Sequence, residues 1–182
     1  MRYLLNGQET ERLYFRLLVR DDFNTWLELF EEEGVSRFIG MDKVQTPKAQ
    51  CENWFEKIEH RYKNDLGGMN VLIDKITNEF IGQSGLLIQE VDQVKELEVA
   101  YSILPKYWNK GYATEAAQKC RDFAFENDYS DSLISIVHVD NIKSEKVAIK
   151  NGMALNKTTE FRNMSVNIFR IYKSDWIKNQ YK

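Results

Sequence analysis

The sequence predicts a mixed α/β protein with a central sheet of about seven strands and helices on both of its faces. Three patterns predict it. Residues 96–103 alternate in polarity, with Leu97, Val99, Tyr101 and Ile103 set against Glu96, Glu98, Ala100 and Ser102, the period of a strand. From Gly111 the apolar period lengthens to that of a helix, which puts Ala113, Ala116, Ala117, Cys120 and Ala124 on one stripe. Segments of these two kinds follow one another as strand, two helices, three strands, helix, strand, helix and two strands, an order that suits a mixed sheet covered on both sides.

The first strand is expected over residues 11–19, where Leu13, Phe15 and Leu17 alternate with Arg12, Tyr14 and Arg16. A helix opens at Arg20-Asp21-Asp22 and carries Phe23, Trp26, Leu27 and Phe30 on one face. It ends in Glu31, Glu32 and Glu33 before Gly34, the unfavourable sign for a helix C-terminus. That run is either a solvated helix end or an attraction for a cationic substrate. Thr46-Pro47 reads as a capping hydroxyl followed by proline at the first helical position, and Trp54, Phe55, Ile58 and Tyr62 continue the stripe to about Asn64. Gly67-Gly68 is expected to break that helix before strands over residues 70–76 and 80–88, with Gly82 and Gly85 marking a bulge or a close approach. Asp92-Gln93 turns into the central strand, which Pro105 stops. Further on, a helix over 112–127, a strand over 133–139, a short helix over 142–151 and strands over 153–160 and 165–173 complete the set.

With 182 residues and 43% hydrophobic content, the chain can bury one sizeable core but is short for two, so a single domain over residues 1–182 is expected. The 25 basic and 28 acidic residues leave a net charge of -3, which offers no general field for nucleic acid. Cys51 and Cys120 are far apart and have no metal spacing, so both are read as reduced and structural, and no metal is expected. No stretch approaches the length of a membrane span, and no apolar leader follows a basic start.

The loop between the central strand and the alanine-faced helix carries the strongest chemical signal. Small side chains let that helix lie close to the sheet, so its first backbone N–H groups sit beyond the strand end without an acceptor inside the helix, an anion site. Gly111 leaves room for a phosphate to approach the backbone, and Lys110 adds positive charge. The two common phosphate loops, G-x-x-x-x-G-K-[ST] and G-x-G-x-x-G, are both absent.

The segment Trp108-Asn109-Lys110-Gly111-Tyr112-Ala113 resembles the acetyl-CoA loop of the GNAT superfamily of N-acetyltransferases, [RQ]-x-x-G-x-[GA], matching at Gly111 and Ala113 and departing at Trp108 and Asn109. The longer string from Tyr107 to Ala116 resembles the RimJ/RimL-like branch. So do residues 10–18, residues 81–86, and Asn141 to Met153. The resemblance implies a GNAT fold whose fourth and fifth strands splay apart to admit acetyl-CoA as cosubstrate, held by Tyr101, Ile103, Leu104, Trp108, Asn109, Lys110, Gly111, Tyr112, Ala113, Thr114, Asn141 and Ser144. It also implies a cytoplasmic enzyme acting on an amine acceptor, a protein N-terminus at branch level or a small amine such as a polyamine, amino acid or aminoglycoside; the alternative is a CoA-binding module without turnover. Neither nucleic acid nor membrane is expected as a partner, and the chain is expected to be a monomer or homodimer.

Acetyl transfer to an amine needs the amine neutral, while a thiol of pKa about 8.5 leaves readily. An α-amine with pKa near 8 is about a tenth neutral at pH 7, whereas a lysine near 10.4 sits roughly 4.6 kcal/mol away. Glu98 points off the Leu97/Val99/Tyr101 face and matches the strand carboxylate that in this family takes the amine proton; its other reading is an exposed residue paired with a lysine. Asn141 and Ser144 begin the late helix, where either is able to cap it, and the resemblance sets Ser144 near the cofactor sulfur. The tyrosine that serves as acid in many members is replaced here by Ala148. His138 is read as structural.

Overall fold

The elements in chain order are β1 (Leu13–Arg16), α1 (Phe23–Glu31), α2 (Pro47–Lys63), β2 (Gly67–Asp74), β3 (Phe80–Val91), β4 (Val94–Ile103), α3 (Tyr112–Glu126), β5 (Ser132–His138), α4 (Ile142–Lys150), β6 (Ala154–Phe161), β7 (Met164–Tyr172) and α5 (Lys173–Gln180). They are taken from a computed structural model that describes residues 2–40 and 45–180. The seven strands form one sheet in the order β1-β2-β3-β4-β5-β7-β6. Every neighbouring pair is antiparallel except β4 and β5, which run parallel because α3 carries the chain back between them. Two-residue turns close both long hairpins: Asp92 and Gln93, then Arg162 and Asn163, all have positive φ, the backbone form whose twist matches the strands.

Adjacent residues of β3 show that helices cover both faces. Gln83 accepts a hydrogen bond from Trp54 Nε1 of α2 at 3.2 Å, while the Ser84 hydroxyl lies 3.4 Å from Cys120 Sγ of α3. Successive strand residues point to opposite faces, so α2 and α3 lie on opposite sides. The α2 side is filled by rings, with Trp26 5.7 Å from both Trp54 and Phe80. The α3 side is thin, because Ala116, Ala117, Cys120 and Ala124 are all fully buried.

Several boundaries differ from the sequence reading. β1 ends at Arg16 because Asp22 folds back, accepting from Val19 N at 3.0 Å and pairing with the Arg16 guanidinium. Residues 20–22 form a separate 3-10 turn before α1. β2 starts at Gly67 rather than after the two glycines, since the register places Gly68 opposite Leu86 and Met69 opposite Gly85. A Cβ at Gly85 would lie 2.0 Å from the Gly68 carbonyl oxygen, a close approach, and beside Gly82 the register of β3 against β2 shifts, a bulge, so both readings of the strand glycines are met. β3 continues to Val91. α5 was not anticipated from the sequence. It docks through Trp176, whose Nε1 donates to Asp122 of α3 at 2.7 Å and whose ring lies 5.4 Å from Phe125. Among the described residues, no helix is long and apolar enough to cross a membrane.

Candidate active site

The site begins where the sheet comes apart. β4 and β5 pair at one position, Glu98 with Ile134, and beyond it the strands diverge. On the closed side Arg170 of β7 reaches over β5 to Glu96 of β4, with both side chains 13% exposed. On the open side the Ser135 hydroxyl of β5 donates to the Val99 carbonyl at 2.8 Å, supplying the partner that a neighbouring strand would have given. From Ala100 to Ile103, β4 is paired with β3 alone. The gap opens into a cavity of about 960 Å³, bounded by the second half of β4, β5, the start of α3, α4, the end of α1 and the β6–β7 turn.

One end of the cavity is the N-terminus of α3. Gly111 sits at φ +86° as the residue before the helix, and Asn109 is left-handed too. The Gly111 carbonyl accepts from Glu115 N, while the N–H groups of Tyr112, Ala113 and Thr114 have no intrahelical acceptor and line the cavity with Gly111 and Asn109. Trp108 Nε1 donates to the Ile103 carbonyl at 2.7 Å, packing the loop on the strand end, and both residues are on the wall. Two residues assigned to this end lie elsewhere. Leu104 is fully buried in the core, and Lys110, not itself a wall residue, holds its ammonium 5.2 Å from the ring of Tyr107, which is one. The lysines on the wall are Lys143, Lys146 and Lys150 of α4, with the Lys143 ammonium 3.9 Å from the Trp108 ring.

The loop is strapped from the start of the chain. Arg12 donates to the Lys110 carbonyl at 3.0 Å, pairs with Glu115 at 2.6 Å and lies over the Tyr112 ring at 4.3 Å. Glu115 also accepts from the Thr10 hydroxyl at 2.5 Å and from Arg12 N at 3.0 Å. Burial disfavours its charge, but these donors outweigh burial and hold its carboxyl below the usual range. Arg12→Ala is therefore expected to cost about 1 to 2 kcal/mol, since the pair is only half-buried, and to weaken CoA binding several-fold by loosening the loop. Paired thermal melts and CoA titrations check this; unchanged affinity at a lowered melting temperature would limit Arg12 to a structural role.

α4 supplies the facing wall. Asn141 Oδ1 accepts from Ser144 N at 3.1 Å, so the asparagine is the cap and the serine hydroxyl is left free to face the cavity. The Ser144 carbonyl accepts from the Tyr101 hydroxyl at 2.7 Å, which fixes the residue from its other side. Burial raises the Tyr101 pKa, so its hydroxyl stays a donor. Ala148 is fully buried.

Glu98 lies opposite Leu87 and on the α2 face of the sheet, away from Val99 and Tyr101. It is not the exposed, lysine-paired residue that was the alternative: it is 8% exposed, and its Oε2 accepts from Gln89 Nε2 at 2.7 Å. Gln89 Oε1 in turn accepts from Arg61 Nη2 at 3.0 Å and from Arg162 Nη2 at 3.3 Å. Burial pushes the Glu98 pKa up, opposed by the Gln89 amide, the charges of Arg162 and Arg61, and the Ile136 N–H. Neither Gln89 nor the two arginines was singled out from sequence. Gln89 sits in an alternating strand beside Glu90 and reads as a surface residue, and only the pairing of β3 with β4 brings it to Glu98.

The remaining candidates have structural partners. His138 Nδ1 accepts from Asp140 N at 3.1 Å, and its ring packs edge-on to Phe38. Cys51 and Cys120 are free and buried, and burial pushes both thiols up to about 12. Glu32 and Glu33 lie at the rim of the cavity.

Comparison with known proteins agrees with this geometry. The sequence model described as the acetyltransferase (GNAT) domain matches residues 12–154. YkkB of Bacillus subtilis (strain 168) is 28% identical over 163 residues, 88% of this chain and 92% of that protein. YoaA of the same organism, named as an N-acetyltransferase, is 24% identical over 144 residues, 79% of this chain and 80% of that one. The crystal structure of an acetyltransferase from Agrobacterium tumefaciens str. C58 superposes with a TM-score of 0.77 at 26% identity, covering 92% of this chain and 94% of that one.

Proposed function

We propose, from the premise that this chain belongs to the GNAT acetyltransferase family and is an N-acetyltransferase, that it moves the acetyl group of acetyl-CoA to a primary α-amine with Glu98 as the base. The observation that carries this reading is the placement of Glu98. It stands at the vertex of the β4–β5 gap, where the open edge of β4 ends, and on the face opposite the α3 N-terminus. Acetyl-CoA supplies an activated acyl group on a good leaving thiol. The residues present fit it, with unpaired N–H groups of Tyr112, Ala113 and Thr114 for phosphate and the open edge of residues 100–103 for an amide-bearing arm.

In this reading the amine enters from the α2 side, and Glu98, ionised and held by Gln89, accepts its proton directly or through one water. The Ser144 hydroxyl, on the cavity wall from α4, would hydrogen-bond the departing thiolate, which takes its proton from solvent. An α-amine suits a single buried carboxylate, because its pKa near 8 leaves little proton to remove at pH 7. The string from Tyr107 to Ala116 supports the RimJ/RimL-like branch, hence a protein N-terminus among the α-amines to be tried, and acetyl-CoA supply points to the cytoplasm.

The test is release of free CoA from acetyl-CoA with a panel of α-amines, N-terminal peptides, lysine side-chain analogues and polyamines, after acetyl-CoA binding is confirmed. Turnover confined to polyamines would overturn the α-amine assignment, and binding without any turnover would overturn the catalytic one. Ser144→Ala is expected to slow turnover by about 1 to 2 kcal/mol, nearly independent of pH below the thiol pKa, without altering acetyl-CoA affinity. A rate profile with a new pH dependence in that variant would give Ser144 a different role.

A further inference from the structure

We propose that Arg162 is a carboxylate-recognition residue for the acceptor, so that the amine acetylated here carries an acid group within a few bonds of its nitrogen, as a free amino acid does. The inference rests on the acetyltransferase reading of the cavity.

Two guanidinium groups meet the Gln89 amide that holds Glu98, and they are held differently. Arg61 is spent: its Nη1 donates to the Leu66 carbonyl at 2.8 Å and to the Ile88 carbonyl at 3.1 Å, and its Nη2 donates to Ile88 at 3.0 Å and to Gln89 Oε1 at 3.0 Å. Arg162 is not spent. It comes from the left-handed first position of the β6–β7 turn, is exposed, and lines the cavity. Its contacts among the described residues are one long bond to Gln89 Oε1 and the face of its neighbour Phe161 at 4.9 Å, with no carboxylate in ion-pair range.

A guanidinium has five N–H donors in a planar fork that matches a carboxylate, and most of these donors are unused here. One carboxamide, that of Gln89, separates the fork from the Glu98 carboxylate. The pair therefore presents an acceptor for an ammonium or amine beside a donor for an anion, the polarity of an amino acid reversed. Arg37, the other guanidinium on the wall, is already paired with Asp140 at 2.8 Å, and Glu32 and Glu33 at the rim offer nothing to an anion. A polycation would place a second positive charge near Arg162, and a chain N-terminus would offer it a neutral peptide carbonyl.

The experiment measures kcat and KM for the twenty amino acids, each beside its C-terminal amide, with wild type, Arg162→Ala and Arg162→Lys. Acid forms are expected to be the better substrates. Read at a pH above the Glu98 limb, where its ionisation no longer depends on Arg162, Arg162→Ala is expected to raise their KM by about tenfold to a hundredfold with kcat little changed, to leave the amides within about twofold, and to be partly rescued in Arg162→Lys. An equal change in KM for acids and amides would show that Arg162 only tunes Glu98, whose ionisation its charge favours, and would overturn the proposal. Amides, polyamines or peptides turned over in place of acids would overturn it while the acetyltransferase reading stands. If no member is turned over, the same panel is titrated for binding to CoA-loaded protein, where lack of acid-selective, Arg162-dependent binding defeats it. Failure to bind acetyl-CoA at all would defeat the acetyltransferase reading itself.

Discussion

Replacing Gly111 by valine is expected to abolish detectable CoA binding, a loss of about a hundredfold or more, because two effects act at one position. Gly111 sits at φ +86°, where a β-branched residue is strained by about 1 to 3 kcal/mol, and a Cβ there would lie 3.3 Å from Arg12 Nη2, crowding the strap that holds the loop. If Gly111 is what leaves room for a phosphate at the N–H groups of Tyr112, Ala113 and Thr114, any side chain there also takes that room. Gly111→Asn separates the two effects. Asparagine tolerates left-handed backbone, so this variant should melt near wild type and still bind CoA poorly. Calorimetric titration beside thermal melts reads both, and valine and asparagine variants with wild-type affinity would sink the assignment of the loop.

The second large effect is expected at Glu98→Gln. As base, Glu98 acts only when ionised, so wild-type kcat/KM should rise with pH through its raised pKa, and the glutamine variant should lose that limb. Near pH 7 the variant should be slower by about a hundredfold to a thousandfold, and the gap should narrow above the pKa of the amine, where the acceptor is already neutral. Stability moves the opposite way. Folding raises this pKa, so the protonated form is the favoured one; its contribution is complete below the unfolded pKa and is lost as pH rises through the folded one. Glutamine does not ionise and still accepts from Gln89. The variant should therefore match wild type below about pH 4 and melt at a higher temperature near neutrality. A rate ratio that stays flat from about pH 6 to about pH 9 would show that Glu98 positions the site and that water or a backbone carbonyl takes the proton.

Much of the fold was legible because its elements carry strong periods. The alternation around Val99 and the alanine stripe of α3 fix a strand and a helix without help, and Thr46-Pro47 marked the start of α2, where the Thr46 hydroxyl accepts from Ala49 N. α5 was hidden because its one anchoring side chain, Trp176, has no apolar neighbour at helical spacing and gains its meaning from Phe125 of another helix. The loop residues from Trp108 to Thr114 were readable as a site since glycine and a helix start are local signals. Adjacency in sequence suggested that Lys110 brings charge to the phosphate end; its ammonium lies over the ring of Tyr107, which is on the cavity wall. Arg12, Gln89 and Arg162 act across 103, 9 and 73 positions of sequence from the groups they touch, distances over which no period carries information.

With β4 and β5 joined at the single pair Glu98–Ile134, the sheet is in mechanical terms two panels on one hinge pin, β1 to β4 on one side and β5, β7 and β6 on the other. Side chains tie the panels over one shared core, Arg170 to Glu96 at the closed end, Ser135 to the Val99 carbonyl, Tyr101 to the Ser144 carbonyl and Trp176 to α3 behind, while the strand backbones meet at the one pair. A ligand wedged in the gap is then a keystone. Its binding free energy adds to the stability of the whole as ligand concentration exceeds Kd, and it falls on the seam where one residue pair joins the strands. Amide hydrogens facing that seam, from Ala100 to Ile103, are expected to be among those whose exchange with solvent slows most when the keystone is in place.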